Sequence, residues 1–401
     1  MKVLCVLGTR PEAIKLAPVI RELRRRADVG LRGNGGGADL RTVVCVTGQH
    51  REMVDPMLSL FGITPDHDLD VMEHNQSPTR LAAAVLARLE PVLESERPDW
   101  VLVQGDTTTV AAAALAAFHA RASVGHVEAG LRTGDKWQPF PEEINRRIGG
   151  VIADLHFAPT ERARQNLLRE GVSDRSIRVT GNTVIDALRW VAGLPPTEGT
   201  SALLRRCGVR GEAAGARIIL VTAHRRESFG RALEDICWAL RDLVIRHDVR
   251  VVYPVHLNPN VWKPVHELLG DVSNITLLPP LDYLSMVHLL KRSYLVLTDS
   301  GGLQEEAPGL GVPVLVLREV TERPEGVEAG AVRVVGTLRE RIVAETSRLL
   351  EDPASYQRLA RAVNPYGDGR AAERIVSELL AWPPTAAPDR PARSELTDAR
   401  R

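Results

Sequence analysis

Asp106, Glu128 and His224 each stand where a short apolar run gives way to a polar turn. Glu142 lies in the long polar loop beyond Glu128. Carboxylates and an imidazole at successive strand ends are suited to taking and returning protons. Plainer readings compete. Taken alone, Asp106 reads first as the N-cap of the following helix, and Glu142 as part of a solvated first helical turn with Glu143. His224 is followed by Arg225 and Arg226, which is uncommon for a structural turn and points to an anion or acid-base site.

A second set of residues could hold an anion. Gly8-Thr9-Arg10-Pro11-Glu12, with Lys15 one turn into a helix, offers backbone N–H groups, a positive helix end, a guanidinium and an ammonium. Ser300-Gly301-Gly302 opens another helix, where N–H groups can approach phosphate closely because glycine lacks a Cβ. Glu306, one turn further, could reach ribose hydroxyls. His256 closes another strand and reads equally well as a packed histidine. Neither leading strand is followed by Gly-x-Gly-x-x-Gly, which weakens any nicotinamide-dependent reading. The run Asp66-His67-Asp68-Leu69-Asp70 reads as a solvated loop in preference to a metal cluster.

These residues need strands and helices to carry them. Apolar runs predict strands at 2–7, 42–47, 100–103, 123–127, 155–158 and 177–179. A second series falls at 218–222, 250–253, 275–278, 294–298 and 312–317. Amphipathic segments at 12–26, 79–96, 107–121 and 233–247 alternate with them, a βαβ pattern that implies parallel sheets covered on both faces. Two such series in 401 residues predict two doubly wound domains. The expected domains are 1–180 and 181–365, with a helix at 366–382 returning to the first domain and a disordered tail at 383–401. Gly30–Asp39 reads as a flexible excursion.

Composition excludes several classes. Lys+Arg and Asp+Glu are both 51, so charge favours neither nucleic acid nor an anionic membrane. Cys5, Cys45, Cys207 and Cys237 lack metal or redox spacing, and Cys5 and Cys45 read as buried small hydrophobes. No apolar stretch approaches membrane-spanning length, and the apolar start is too short for a signal peptide, so the cytoplasm is expected.

The segments quoted above resemble the non-hydrolysing UDP-N-acetylglucosamine 2-epimerases of bacteria, from Met1 to about Leu380. The matching motifs include Gly8–Lys15, Gly105–Thr109, Gly125–Arg132, Pro141–Glu143 and His224–Glu227. They continue through Asp299–Gly302, Thr321–Glu325 and Asn364–Gly369. The resemblance implies an α/β GT-B fold, two Rossmann-like doubly wound domains facing a cleft, and a homodimer. It implies catalytic roles at Asp106, Glu128, Glu142 and His224. Substrate contacts are implied for Asp106, Glu128 and His224, and for Arg10, Lys15, Ser300, Gly301, Gly302, Glu306 and Arg323. Some members are activated by a second substrate molecule near the positions of Gln49, His50, Glu52, Arg225 and His256. Glu52 and Asn75 stand where activated members can carry Gln and Arg. Met286 falls where an aromatic often lies near the uracil, and Leu281 where some members carry Gln or Glu.

The implied reaction interconverts UDP-N-acetylglucosamine and UDP-N-acetylmannosamine with no cofactor and no metal. The C2 proton of an N-acetylhexosamine is not beside a carbonyl. Elimination of UDP across C1–C2 and its re-addition would invert C2 without redox chemistry. A hydrolysing epimerase and a GT-B glycosyltransferase are the alternatives.

Overall fold

Runs of Val, Leu and Ile with almost no exposure make the strands of this protein, because parallel sheets bury both faces. The structure is a computed structural model that describes residues 1–32, 40–48, 51–73, 75–209 and 217–382. The tail at 383–401, most of the Gly30–Asp39 excursion, Gln49 and His50 lie outside the described residues. The chain divides into two compact units. One is Met1–Ala187 with the stretch from Gly369 onward, and the other is Leu188–Asp368. The first crossing falls inside the helix Thr183–Gly193, a few residues after the expected boundary at 180.

The first unit holds β1 (Lys2–Leu7), β2 (Arg41–Val46), β3 (His67–Asp68), β4 (Trp100–Gln104), β5 (Ser123–Val127), β6 (Leu155–Ala158) and β7 (Ile177–Val179). They pair in the order β3-β2-β1-β4-β5-β6-β7, and all are parallel. The second unit holds β8 (Arg217–Thr222), β9 (Val249–Pro254), β10 (Ile275–Leu278), β11 (Leu295–Thr298), β12 (Val314–Val316) and β13 (Val332–Val334). Their order is β10-β9-β8-β11-β12-β13, again parallel throughout. Each sheet therefore grows outward in both directions from a central pair, β1/β4 or β8/β11. Loops leaving those pairs turn to opposite faces, which is where Rossmann-like sheets take ligands. The two doubly wound, Rossmann-like halves are those of the GT-B class.

Two local readings change. The helix Arg10–Arg32 runs through Gly30, so the excursion begins later than its glycine content suggests. The Asp66–Asp70 run keeps its three Asp residues exposed, yet it is not wholly loop. His67 and Asp68 form the edge strand β3, Asp66 Oδ2 accepts the Val44 N–H at 2.8 Å, and His67 Nε2 meets Glu96 Oε1 at 2.9 Å. Among the described residues no group of three or more His, Cys, Asp or Glu could hold a metal ion. All four cysteines are free and buried. The helix Ala371–Ala381 packs on Arg10–Arg32, with Ser377 Oγ accepting from Arg26 at 3.0 Å and Thr180 O from Arg374 at 3.0 Å.

His126 on β5 and His156 on β6 are register partners, both almost wholly buried. Burial pushes the His126 pKa down to about 4 and that of His156 down to about 3. Both lie below the ordinary imidazole value, so the unfolded chain protonates first and stability falls as pH drops from about 6.5 toward 4. For His126 alone the loss is on the order of 3 kcal/mol. Urea midpoints measured between pH 7 and pH 4.5 should decline steadily. His126→Gln should flatten that decline, and an unchanged slope would contradict the assignment.

Candidate active site

In the first unit, Asp106 does not cap the helix Thr108–His119. Thr107 does, accepting the Val110 N–H at 3.3 Å, so the plainer reading of Asp106 gives way. The Asp106 carboxylate instead meets Arg146 at 2.6 Å, and its backbone carbonyl accepts from Asn145 at 3.0 Å. Gly105 beside it is pinned twice: its N–H donates to Val127 O at 3.0 Å, and its carbonyl accepts from His126 Nε2 at 2.7 Å. Asp106 therefore projects from a fixed turn.

Glu128 follows β5 with a backbone φ of 63°, the left-handed region that side chains rarely adopt. Its Oε2 is gripped by Lys15 and by the amide of Gln104. Lys15, expected to meet the nucleotide, is thus an ion-pair partner of the candidate acid. Such backbone strain clusters at functional sites.

The adjacent glutamates divide. Glu143 is wholly buried and holds the preceding loop, accepting Thr133 N–H at 3.1 Å and Gly134 N–H at 3.2 Å. It also meets Arg146 at 3.3 Å. Glu142 is partly buried, and its Oε2 has no hydrogen-bond partner among the described residues. The solvated-turn reading fails for Glu143, while Glu142 keeps acceptor capacity for a ligand.

The turn after β1 also differs from expectation. Its Gly8 and Thr9 N–H groups are not open to phosphate. They donate to Glu12 Oε2 at 2.8 and 2.6 Å. Burial pushes the Glu12 pKa up, against the lowering pull of these bonds and of Thr107. The Arg10 guanidinium, partly exposed, has no hydrogen-bond or ion-pair partner among the described residues.

In the second unit, wholly buried Asp299 sits at the end of β11 and accepts the N–H groups of His224 and Arg225, both at 2.7 Å. The His224 ring lies 3.4 Å from the other Asp299 oxygen and stacks on His256 at 5.4 Å between centroids. Burial pushes its pKa below the ordinary value. Asp299 opposes that shift, while His256 and Arg225 reinforce it.

The helix Gly301–Gly309 starts at Ser300, whose side chain makes no capping bond. Its first N–H groups are the kind a phosphate satisfies. A Cβ at Gly301 would lie 3.8 Å from Arg225 Nη2 and 3.9 Å from Arg323 Nη2, so two guanidiniums face this turn. Arg323 is anchored to Glu305, and Glu306 accepts from Tyr283 OH at 3.0 Å.

Over residues 36–380 the chain matches the family described as UDP-N-acetylglucosamine 2-epimerase. It belongs to that family. The UDP-N-acetylglucosamine 2-epimerase of Escherichia coli strain K12 is 52% identical over 388 residues, covering 94% of this chain and 98% of that one. The solved epimerase of Neisseria meningitidis bound to UDP-GlcNAc has a TM-score of 0.83 at 45% identity, covering 95% of this chain and 100% of that one. The Methanocaldococcus jannaschii enzyme in complex with UDP-GlcNAc and UDP has a TM-score of 0.74 at 34% identity, covering 95% and 100%.

In this epimerase-family chain, sequence reasoning missed Gln104, Arg146, Asp299 and Glu305 as supports of the candidate residues. All four lie within or beside the segments read for chemistry, but nothing in their local pattern marks them as supports. Alanine at Gly301 meets only ordinary contacts, and its methyl would face the two guanidiniums at the turn. Gly301→Ala should weaken binding of inorganic pyrophosphate about tenfold, the scale of one lost charged contact, with melting temperature unchanged. Calorimetric titration against wild type measures this, and equal affinity would remove the turn from the site.

Proposed function

We propose that the chain is a non-hydrolysing 2-epimerase that interconverts UDP-N-acetylglucosamine and UDP-N-acetylmannosamine. The observation that carries this reading is Glu128, a carboxylate at a strand end in a left-handed backbone conformation, gripped by Lys15 and Gln104. Asp106 and Glu142 belong to the same unit and supply the further acids that inversion at C2 requires.

In the elimination, a carboxylate takes the C2 proton, a C1–C2 double bond forms and the C1–O bond breaks. UDP leaves with the electron pair, and 2-acetamidoglucal remains. In the return, a UDP oxygen attacks C1 and an acid delivers a proton to the opposite face of C2. Atoms and electrons balance without an oxidant. Asp106, Glu128 and Glu142 carry the proton steps. Arg10, His224, Arg323, the Ser300–Gly302 turn and Lys15 stabilise charge on the diphosphate, and Glu306 holds the ribose. The Glu12 carboxylate fills the turn where a dinucleotide pyrophosphate would lie in a Rossmann half, which favours elimination over a redox route.

The same proposal makes the enzyme a cytoplasmic homodimer that supplies N-acetylmannosamine units to cell-surface polysaccharide. The dimer is supported by an apolar stripe of Ile144, Ile148 and Val151 on the helix Glu142–Ile152, with Val151 86% exposed. The location is supported by four reduced, buried cysteines, and no described helix is long and apolar enough to cross a membrane. Activation by a second substrate molecule would use Gln49, His50, Arg225 and His256. The stacking of His256 on His224 gives such a signal a route to the chemistry.

Incubation with UDP-N-acetylglucosamine in heavy water, followed by proton NMR, should give deuterium at C2 and intact UDP-N-acetylmannosamine. Free N-acetylmannosamine with UDP would make the enzyme hydrolytic. No change without an acceptor would make it a transferase. Asp106→Asn, Glu128→Gln and His224→Ala should each lower turnover by at least about a hundredfold. Near-normal turnover in all three, with substrate still bound, would sink the mechanism.

A further inference from the structure

We propose that Glu12 is a positioning residue of the proton-transfer site, holding the turn that carries Arg10 in register with the turn that carries Asp106. The inference rests on the epimerase reading and adds a residue which that reading does not use for chemistry.

Glu12 is 1% exposed, and both of its carboxylate oxygens are engaged. Oε2 accepts the Gly8 and Thr9 N–H groups of its own turn. Oε1 accepts the Thr107 hydroxyl at 2.6 Å, across 95 residues of sequence. Thr107 directly follows Asp106 and opens the helix after β4. One buried side chain thus joins the loops leaving both central strands of the first sheet. A buried carboxylate is costly unless its oxygens are satisfied. An exposed Ser or Asp cap would serve an ordinary turn without that cost, so a purely local role does not account for Glu12.

The tie also completes the support around Asp106. Arg146 and Asn145 hold Asp106 from the helix Glu142–Ile152, and His126 holds Gly105 from β5. Glu12 and Thr107 supply the hold from the β1 side. Loss of that hold would let the Asp106 turn shift relative to Arg10 while leaving each side chain present. A shift on the order of 1 Å can cost about a hundredfold in rate.

The test reads kcat and KM separately, with C2 deuterium incorporation as the assay. Glu12→Ala and Thr107→Val should each lower kcat about thirtyfold with KM changed less than about threefold. Thr107→Ser should restore kcat to within about threefold, because it returns the hydroxyl. Glu12→Gln should recover most of the loss, since its amide oxygen accepts the same N–H groups. The double variant Glu12→Ala/Thr107→Val should be no worse than the poorer single variant by more than about threefold, because both remove one shared tie. If Glu12→Ala does not fold, the Thr107 pair decides, since those substitutions leave both N–H bonds of Glu12 intact. Wild-type kcat in Thr107→Val, or multiplicative losses in the double variant, would overturn the inference while the epimerase reading stands. A wild-type protein that exchanges no deuterium overturns both.

Discussion

A buried carboxylate laid across the central strand pair is the constraint on which both halves of this protein depend. In the first unit Glu12, just after β1, reaches Thr107 beyond β4. In the second, Asp299 beyond β11 accepts the N–H groups of His224 and Arg225 beyond β8. The loops at such a pair diverge to opposite faces, and no ladder bond holds them together. A charged acceptor satisfied by several donors is rigid where a solvated loop would not be. The candidate residues Asp106 and His224 stand directly beside these two braces.

The braces leave different openings. In the first unit the carboxylate consumes the Gly8 and Thr9 N–H groups of the turn after β1, which leaves the Arg10 guanidinium as the donor there. Its acids are Asp106 on its pinned turn and Glu142, one oxygen of which is buried without a hydrogen-bond partner. In the second unit the brace lies beneath His224, and the helix from Ser300 begins without a side-chain cap. Two guanidiniums approach that uncapped start. On the epimerase reading, the first unit's acids exchange protons and the second unit's uncapped turn meets an anion.

The strands were legible because each buried run is continuously apolar and bounded by polar turns. β1, β5, β6, β7 and β10 fall where the apolar runs end. The two that escaped notice, β3 and β13, are short strands at the edges of their sheets. The candidate acids were legible as types at strand ends, but their partners were not. Lys15 and Glu128 lie 113 residues apart, and no local pattern announces their pairing. Glu12 drew no reading of its own within the Gly8–Glu12 turn, and Glu143 looked like a solvated neighbour of Glu142. Only packing distinguishes a buried brace from an exposed cap. The helical extension through Gly30 shows the same limit, since glycine content alone does not stop a helix already under way.

The left-handed backbone at Glu128 has a consequence for how this chain could change over time. A residue with a Cβ gives up roughly 1 kcal/mol to sit there, and glycine would give up almost none. Glycine there would relieve that strain but would take away the carboxylate that Lys15 and Gln104 grip. On the epimerase reading, the glutamate sets backbone ease against chemistry, and selection for the reaction keeps it.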